Sequence, residues 1–247
     1  MPSYGVTLLS GGLDSTTVSA YARNQVDRLT ALTFLYGQTH SKETRCAAEV
    51  AAFLRLAHVV VDISFFRDVA WYSALTNPEL FPIPKARPAA EMGVSIPITY
   101  VPLRNTFFLA LAGAYLESEV LNSIEVEEHD PGAVKAHIYI APNAIDYSGY
   151  PDCRPQFFDD AQRTLLQGSK LWNQYGVAME IHTPIIHMSK RDIVRWAVEL
   201  QAPLDRTWSC YEGGELPCGG CDSCQLRAKG FAEARVDDPL LVRLKGA

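Results

Sequence analysis

Near its start the chain reads Tyr4-Gly5-Val6-Thr7-Leu8-Leu9-Ser10-Gly11-Gly12-Leu13-Asp14-Ser15-Thr16-Thr17. An apolar run, two glycines and a stretch rich in Ala, Thr and Val predict a strand over 4–9, a tight turn and a helix over 16–22. That order gathers free backbone N–H groups at a helix N-terminus, where the dipole also favours an anion such as phosphate or pyrophosphate. Gly11 and Gly12 let the backbone approach a ligand without a Cβ in the way. Ser10, Ser15 and Thr16 add hydroxyl donors, whereas the Asp14 carboxylate would repel phosphate unless a metal or a donor holds it. The glycine spacing is too short for a P-loop and no Lys precedes the Ser/Thr, and a dinucleotide fingerprint is equally absent. The bland alternative is a serine–glycine turn capped by Asp14.

Ser-Gly-Gly-Leu-Asp-Ser resembles the pyrophosphate-binding loop of the N-type ATP pyrophosphatases. The resemblance implies cleavage of ATP between the α and β phosphates and adenylation of a substrate. Downstream, strands are expected over 29–36, 58–63, 136–141 and 178–182, with helices over 42–56, 106–116, 156–175 and 190–200. This alternation predicts a Rossmann-like, doubly wound parallel α/β fold, with ligands beyond the carboxyl ends of the strands. Tyr36, Gln38, His40 and the loop 142–154 fall on the same edge as the glycine loop. His40 reads equally as a surface loop histidine.

Between Phe65 and Pro102 six prolines (Pro78, Pro82, Pro84, Pro88, Pro97, Pro102) exclude a continuous helix, so a long loop over the active edge is expected. Arg104 and Asn105 then open an apolar helix, either as a cap with a surface ion pair or as contacts to ATP or substrate. Residues 117–130 hold six acidic side chains and no Lys or Arg, which reads first as a solvated face. The loop from Asn143 to Arg154 mixes aromatic rings with amide and carboxyl groups, a lining suited to a planar polar heterocycle. Cys153 is either a nucleophile or a buried cysteine without a role. Ser189 reads as an N-cap, which puts Lys190 in a first turn where the dipole disfavours a cation; a phosphate would offset that, and an exposed lysine is the alternative.

Cys210, Cys218, Cys221 and Cys224 follow a C-x7-C-x2-C-x2-C spacing. Four thiolates so close suit a closed tetrahedral zinc site with a structural role. An iron–sulfur cluster and a redox pair are the competing readings. The balance of 22 basic and 28 acidic residues, net charge −6, shows no electrostatic footprint for nucleic acid. No apolar run reaches membrane-spanning length and no signal pattern opens the chain, so a cytoplasmic protein is expected.

Further motifs follow in order: Tyr36-Gly37-Gln38-x-His40-x-x-Glu43, Val101-Pro102-x-Arg104-Asn105, and Asp146-Tyr147-Ser148-Gly149-Tyr150-Pro151-Asp152-Cys153-Arg154-Pro155. His182-Thr183-Pro184 and Thr207-Trp208-Ser209-Cys210-Tyr211 come next, then Cys218-Gly219-Gly220-Cys221-Asp222-Ser223-Cys224-x-x-Arg227. Together with the glycine loop, and over nearly the whole chain, these resemble the 7-cyano-7-deazaguanine synthase family of the PP-loop superfamily. The resemblance implies an ATP-dependent ligase that converts 7-carboxy-7-deazaguanine and ammonia to the nitrile through adenylated acid and amide, in queuosine or archaeosine biosynthesis. It implies ATP and Mg2+ on Leu9, Ser10, Gly11, Gly12, Leu13, Asp14, Ser15, Thr16 and Thr17. Asp14, Lys190 and Arg104 are the expected catalytic residues, and Arg104, Asp146, Tyr147, Asp152 and Arg154 the expected substrate contacts. Cys210, Cys218, Cys221 and Cys224 carry over as ligands of Zn2+. A homodimer is implied, with residues 1–205 as the α/β domain and 206–247 as a zinc-binding segment packed on it.

The stretch 119–135 is longer and more acidic than a simple helix-to-strand link, so a surface excursion is expected there, with a docking role for a protein partner as one reading. That stretch keeps open a diverged relative that passes a 7-deazaguanine carboxylate to another amine, including one on a protein. A PP-loop tRNA-modifying enzyme and a non-catalytic zinc module are the remaining readings. The first predicts a basic RNA surface, and the second leaves the glycine loop unexplained.

Overall fold

The computed structural model describes residues 2–38, 42–88, 95–145 and 149–246. His40, Asp146 and Tyr147, singled out above, lie outside the described residues. Five strands, β1 (Ser3–Leu8), β2 (Arg28–Leu35), β3 (Ala57–Asp62), β4 (Lys135–Tyr139) and β5 (Met179–His182), form one all-parallel sheet in the order β3-β2-β1-β4-β5. The order reverses direction between β1 and β4, the switch point where a doubly wound sheet opens a crevice at its carboxyl edge.

Alternation along the strands sets the two faces. Tyr4, Val6, Leu8, Ala136 and Ile138 face one core, which also holds Leu109, Leu116 and Val120 of helix α4 (Arg104–Glu125) and Phe158 of α5 (Pro155–Gly168). Tyr139 faces the other, against Leu13 and Val18 of α1 (Leu13–Ala22), Ile193 and Val194 of α7 (Lys190–Glu199), and Phe231 of α8 (Asp222–Ala234). Helix α2 (Lys42–Leu54) lies on that same side beside α1, sharing Ala20, Ala47 and Val50 with Ala31 of β2. The last helix, α9 (Pro239–Lys245), buries Leu240 with Trp208 and the cysteines. Among the described residues no helix is long and apolar enough to cross a membrane.

Several expected boundaries shift. Helix α1 begins at Leu13, so Asp14 and Ser15 stand in its first turn. The segment 156–175 is two helices, α5 and α6 (Lys170–Tyr175), because Ser169 caps the second by accepting the Trp172 N–H at 3.1 Å. The long proline-rich loop contains a short helix, α3 (Phe66–Val69), which ends well before the first of its prolines. The expected surface excursion is corrected more strongly. Helix α4 runs on to Glu125, and its Glu117 and Glu125 have partners within the chain, whereas Glu119 and residues 126–128 are exposed. Glu117 accepts the Leu171 N–H at 2.8 Å, Glu125 accepts from Tyr175 and pairs with Lys170, and Glu127 pairs with Arg28.

Candidate active site

The turn between β1 and α1 is fixed by close packing. Gly11 has φ +89°, a left-handed conformation, and a Cβ there would meet the Glu43 carbonyl and the Ala47 amide of α2. The Trp208 N–H donates to the Gly11 carbonyl at 2.9 Å, so the C-terminal segment is tied to the loop. Ser10 and Ser15 close the turn from inside, their hydroxyls 2.9 Å apart, and Gly12 N–H donates to Ser10 Oγ at 3.2 Å.

A cleft opens over this loop in two lobes. One, about 280 Å³, is lined by Ser10, Gly12, Leu13, Asp14 and Ser15, by Pro142, Asn143, Tyr150 and Cys153 after β4, and by Lys190, Ser209 and Arg227. The other, about 220 Å³, is more apolar and lies over the ends of β1 and β2, with Leu9, Phe34, Tyr36, Gln38, Leu75 and Phe108 in its wall. Ser10, Ser15, Glu43, Arg104, Asn105 and Tyr211 line both lobes.

Lys190 is drawn in by its neighbours. Ser189 accepts the Asp192 N–H as N-cap of α7, and the Lys190 Nζ donates to both Asp14 oxygens at 2.9 and 2.7 Å. The aliphatic stem of Lys190 packs on Gly230 of α8, where an added Cβ would come within 2.5 Å of Cγ. The exposed-lysine reading is thereby replaced by a half-screened ion pair on the cleft wall; its side chain is 11% exposed.

Arg104 opens α4 after Leu103, which takes a left-handed φ of 54°, and its guanidinium lies over the Tyr36 ring at 5.8 Å. Asn105 is buried behind it. The Asn105 N–H donates to Asp152 Oδ2 at 3.2 Å and its Nδ2 to the Asp152 carbonyl at 2.9 Å. Asp152 thus caps the start of α4. Burial pushes its carboxyl upward, opposed by the Arg104 charge. Burial and the Asp152 charge push the Cys153 thiol up to about 12, so it stays protonated at neutral pH and is not an activated nucleophile. Burial likewise pushes Glu43 up to about 7, against the pull of Arg104.

The four C-terminal cysteines converge, with every pair of sulfurs within 4.8 Å. Cys210 Sγ accepts the Glu212 and Cys218 N–H groups at 3.4 and 3.3 Å, and Cys218 Sγ accepts the Cys221 N–H at 3.4 Å. Donors aimed at sulfur favour thiolates, so the chemistry of the set fits a thiolate-bound metal ion. The proline-rich segment is fastened to this cluster: Ala86 N–H donates to the Gly220 carbonyl at 2.8 Å and Arg87 pairs with the buried Asp222 at 2.6 Å.

Of the residues singled out from sequence, Leu9, Ser10, Gly12, Leu13, Asp14, Ser15, Arg104 and Lys190 line the cleft. Gly11 shapes the turn, while Thr16 and Thr17 are buried within α1, the latter donating to the Leu13 carbonyl at 2.8 Å. Asp152 stands behind the wall, and Arg154 is exposed at the start of α5. Asn143, from the loop expected to line a heterocycle, also stands in the wall, and Glu43, Ser209, Tyr211, Arg227 and Gly230 complete the site without having been assigned a role. Glu43, Ser209, Tyr211 and Arg227 stand inside quoted motifs; Gly230 is one glycine in a helical pattern and carries no local signal.

A family model described as "Queuosine biosynthesis protein QueC" matches residues 4–235. The chain belongs to the QueC family. Curated QueC relatives named 7-cyano-7-deazaguanine synthase agree over almost the whole length. The one from Thermoplasma volcanium is 43% identical over 97% of this chain and 91% of its own. Those from Trichodesmium erythraeum (41%, covering 96% and 99%) and Oceanobacillus iheyensis (39%, covering 95% and 96%) are similar. With relatives that are synthases, this QueC chain is an enzyme. Among solved structures, a 4-thiouridine synthetase–RNA complex with bound ATP matches at TM-score 0.42 and 18% identity, covering 98% of this chain and 50% of that one. That likeness is too loose to carry function.

Proposed function

We propose that this chain is an ATP-dependent carbon–nitrogen ligase that makes 7-cyano-7-deazaguanine from 7-carboxy-7-deazaguanine and ammonia. One observation carries the reading beyond family membership: the glycine loop, the Asp14–Lys190 pair and Arg104 border a single cleft at the β1/β4 switch point. A carboxylate oxygen is a poor leaving group and AMP a good one, so adenylation prepares the acid for attack by ammonia. A second adenylation of the amide oxygen then allows elimination to the nitrile.

In this reading the apolar lobe, walled by Phe34, Tyr36 and Phe108, takes adenine, and the lobe with Asn143, Tyr150 and Cys153 takes the deazaguanine ring. Ser10, Gly12 and Ser15 hold phosphate oxygens with main-chain and hydroxyl donors, which stabilise the departing pyrophosphate. Lys190 moves from Asp14 to phosphate. Asp14 would then be the loop's carboxylate for Mg2+, which would supply charge neutralisation at the phosphates. Arg104 faces the substrate carboxylate. Asp146 and Tyr147 remain candidates for the ring edge, and Arg154 for an outer contact. Cys210, Cys218, Cys221 and Cys224 would hold Zn2+, which would supply a structural cross-link. Residues 206–247 form the zinc-binding segment on an α/β domain of 1–205, in a cytoplasmic homodimer.

Mass spectrometry of a reaction with ATP, Mg2+, ammonium and 7-carboxy-7-deazaguanine tests this. Nitrile, AMP and pyrophosphate are expected, and Asp14→Ala should lower turnover by about 100-fold or more. Adenylated acid alone would point to another acceptor amine, and amide without nitrile to an enzyme that stops after the first adenylation; either overturns the synthase reading.

A further inference from the structure

β4 and β5 carry a side-chain cluster that the cleft does not use. His137 of β4 stands in register with Glu180 of β5, and Tyr139 with His182. All three of His137, Glu180 and His182 therefore leave the sheet on the side of α1 and α7, the side Tyr139 also takes. His137 Nδ1 lies 2.9 Å from His182 Nε2 and 3.4 Å from Glu180 Oε2, and His182 Nε2 lies 3.6 Å from the same oxygen. These sides average about 3.3 Å. A tetrahedral zinc ion with ligands near ~2.05 Å requires donors about 3.4 Å apart.

The rival account is a hydrogen bond from one imidazole to the other. It explains the 2.9 Å contact but gives Glu180 no reason to aim one oxygen at both ring nitrogens from beyond ordinary hydrogen-bond length. A shared ion uses all three donors at once. The Tyr139 ring stacks on His182 with centroids 4.8 Å apart and planes 19° apart, which restrains the orientation of that imidazole.

We propose that His137, Glu180 and His182 bind a divalent transition-metal ion of the zinc class, at a site separate from the four cysteines. Two imidazoles and a carboxylate suit such an ion and exclude the softer preferences of a thiolate site. The two histidines line a surface cavity together with Asp27 and Lys135, from which water takes the fourth position. The ion joins edge strand β5 to β4.

Cobalt titration of the full-length, zinc-depleted protein separates the two sites. Binding at the cysteines produces intense thiolate-to-cobalt charge transfer in the near ultraviolet; binding at the histidines produces only weaker visible ligand-field bands. Wild type is expected to take two ions per chain. His182→Ala and Glu180→Gln should each weaken the event without charge transfer by more than the ~10–100-fold lost with an outer-shell partner, leaving the charge-transfer event unchanged. Glu180 has a half-exposed side chain, so its Gln variant keeps the test valid even if His182→Ala unfolds. A single ion per wild-type chain, or a second event that Glu180→Gln leaves unaltered, overturns the proposal.

Discussion

Lys190 owes its place to a neighbour that has no functional group at all. Gly230→Ala would push a methyl into the Lys190 stem, since the nearest carbon is at 2.5 Å. We expect this change to cost about 1–3 kcal/mol and to raise the KM for ATP. Urea melts beside steady-state kinetics read the two effects apart. Glu43 yields a pH prediction whose sign follows from burial. Its carboxyl is raised from an ordinary value of 4.5 to about 7, so between those values the folded chain keeps a proton that the unfolded chain has released. Stability from this group therefore falls as pH rises through that window and stays lower above it. Relative to wild type, Glu43→Gln should gain at most about 3 kcal/mol on going from pH 5 to pH 8, measured by urea unfolding at both. Equal pH dependence of the two proteins would remove Glu43 as the cause.

At the scale of elements, the start of α4 is where a binding reading and a capping reading of one residue compete. Asp152 accepts the Asn105 N–H and sets the helix that presents Arg104. If capping is its work, Asp152→Ala lowers stability by about 0.5–2 kcal/mol, and Asp152→Asn, which keeps an acceptor oxygen, recovers most of it. A substrate contact predicts the reverse: unchanged melting with a raised KM for the acid in both variants. The glycine turn makes a second test. Gly11→Ala combines a left-handed φ of +89° with a Cβ driven into α2. We expect a loss of several kcal/mol, about 1–3 of it from the backbone alone, visible as a lowered melting temperature. These elements were unequally legible. The strand–turn–helix at 4–22 stands out because apolar periodicity and glycine placement are local. The end of α4 does not, because Glu117 and Glu125 look like solvent-facing charge until α6 supplies Leu171, Lys170 and Tyr175 as partners. The split at Gly168-Ser169 is written in the sequence as a glycine and a cap, and helical periodicity on both sides hides it.

Across the whole molecule, the site is assembled from distant segments, which is why motifs revealed its parts but not their division of labour. Ser10 comes from the first loop and Ser15 from the first turn of α1, Arg104 and Asn105 from the start of α4, Asn143 from beyond β4, Lys190 from α7, and Ser209 and Arg227 from the C-terminal segment. Arg227 illustrates the difficulty. Sequence places it beside a cysteine motif, whereas in the fold it pairs with Asp238 at 2.6 Å, donates to Thr207 and Ser209, and also lines the cleft. The cysteines converge within the segment that Trp208 ties to the glycine loop, so removing a metal held by them should act on the cleft from a distance. Treatment with a strong chelator is expected to lower the melting temperature and abolish turnover together, with both restored by added zinc. Turnover that survives complete removal of the metal would separate the cluster from the site. The tie between the Trp208 N–H and the Gly11 carbonyl has one more consequence. A ribosome makes the glycine loop long before it makes Trp208, and domains acquire structure as the chain emerges. The Gly11 carbonyl therefore waits for its partner until residue 208 has emerged, and the turn is braced only from then on.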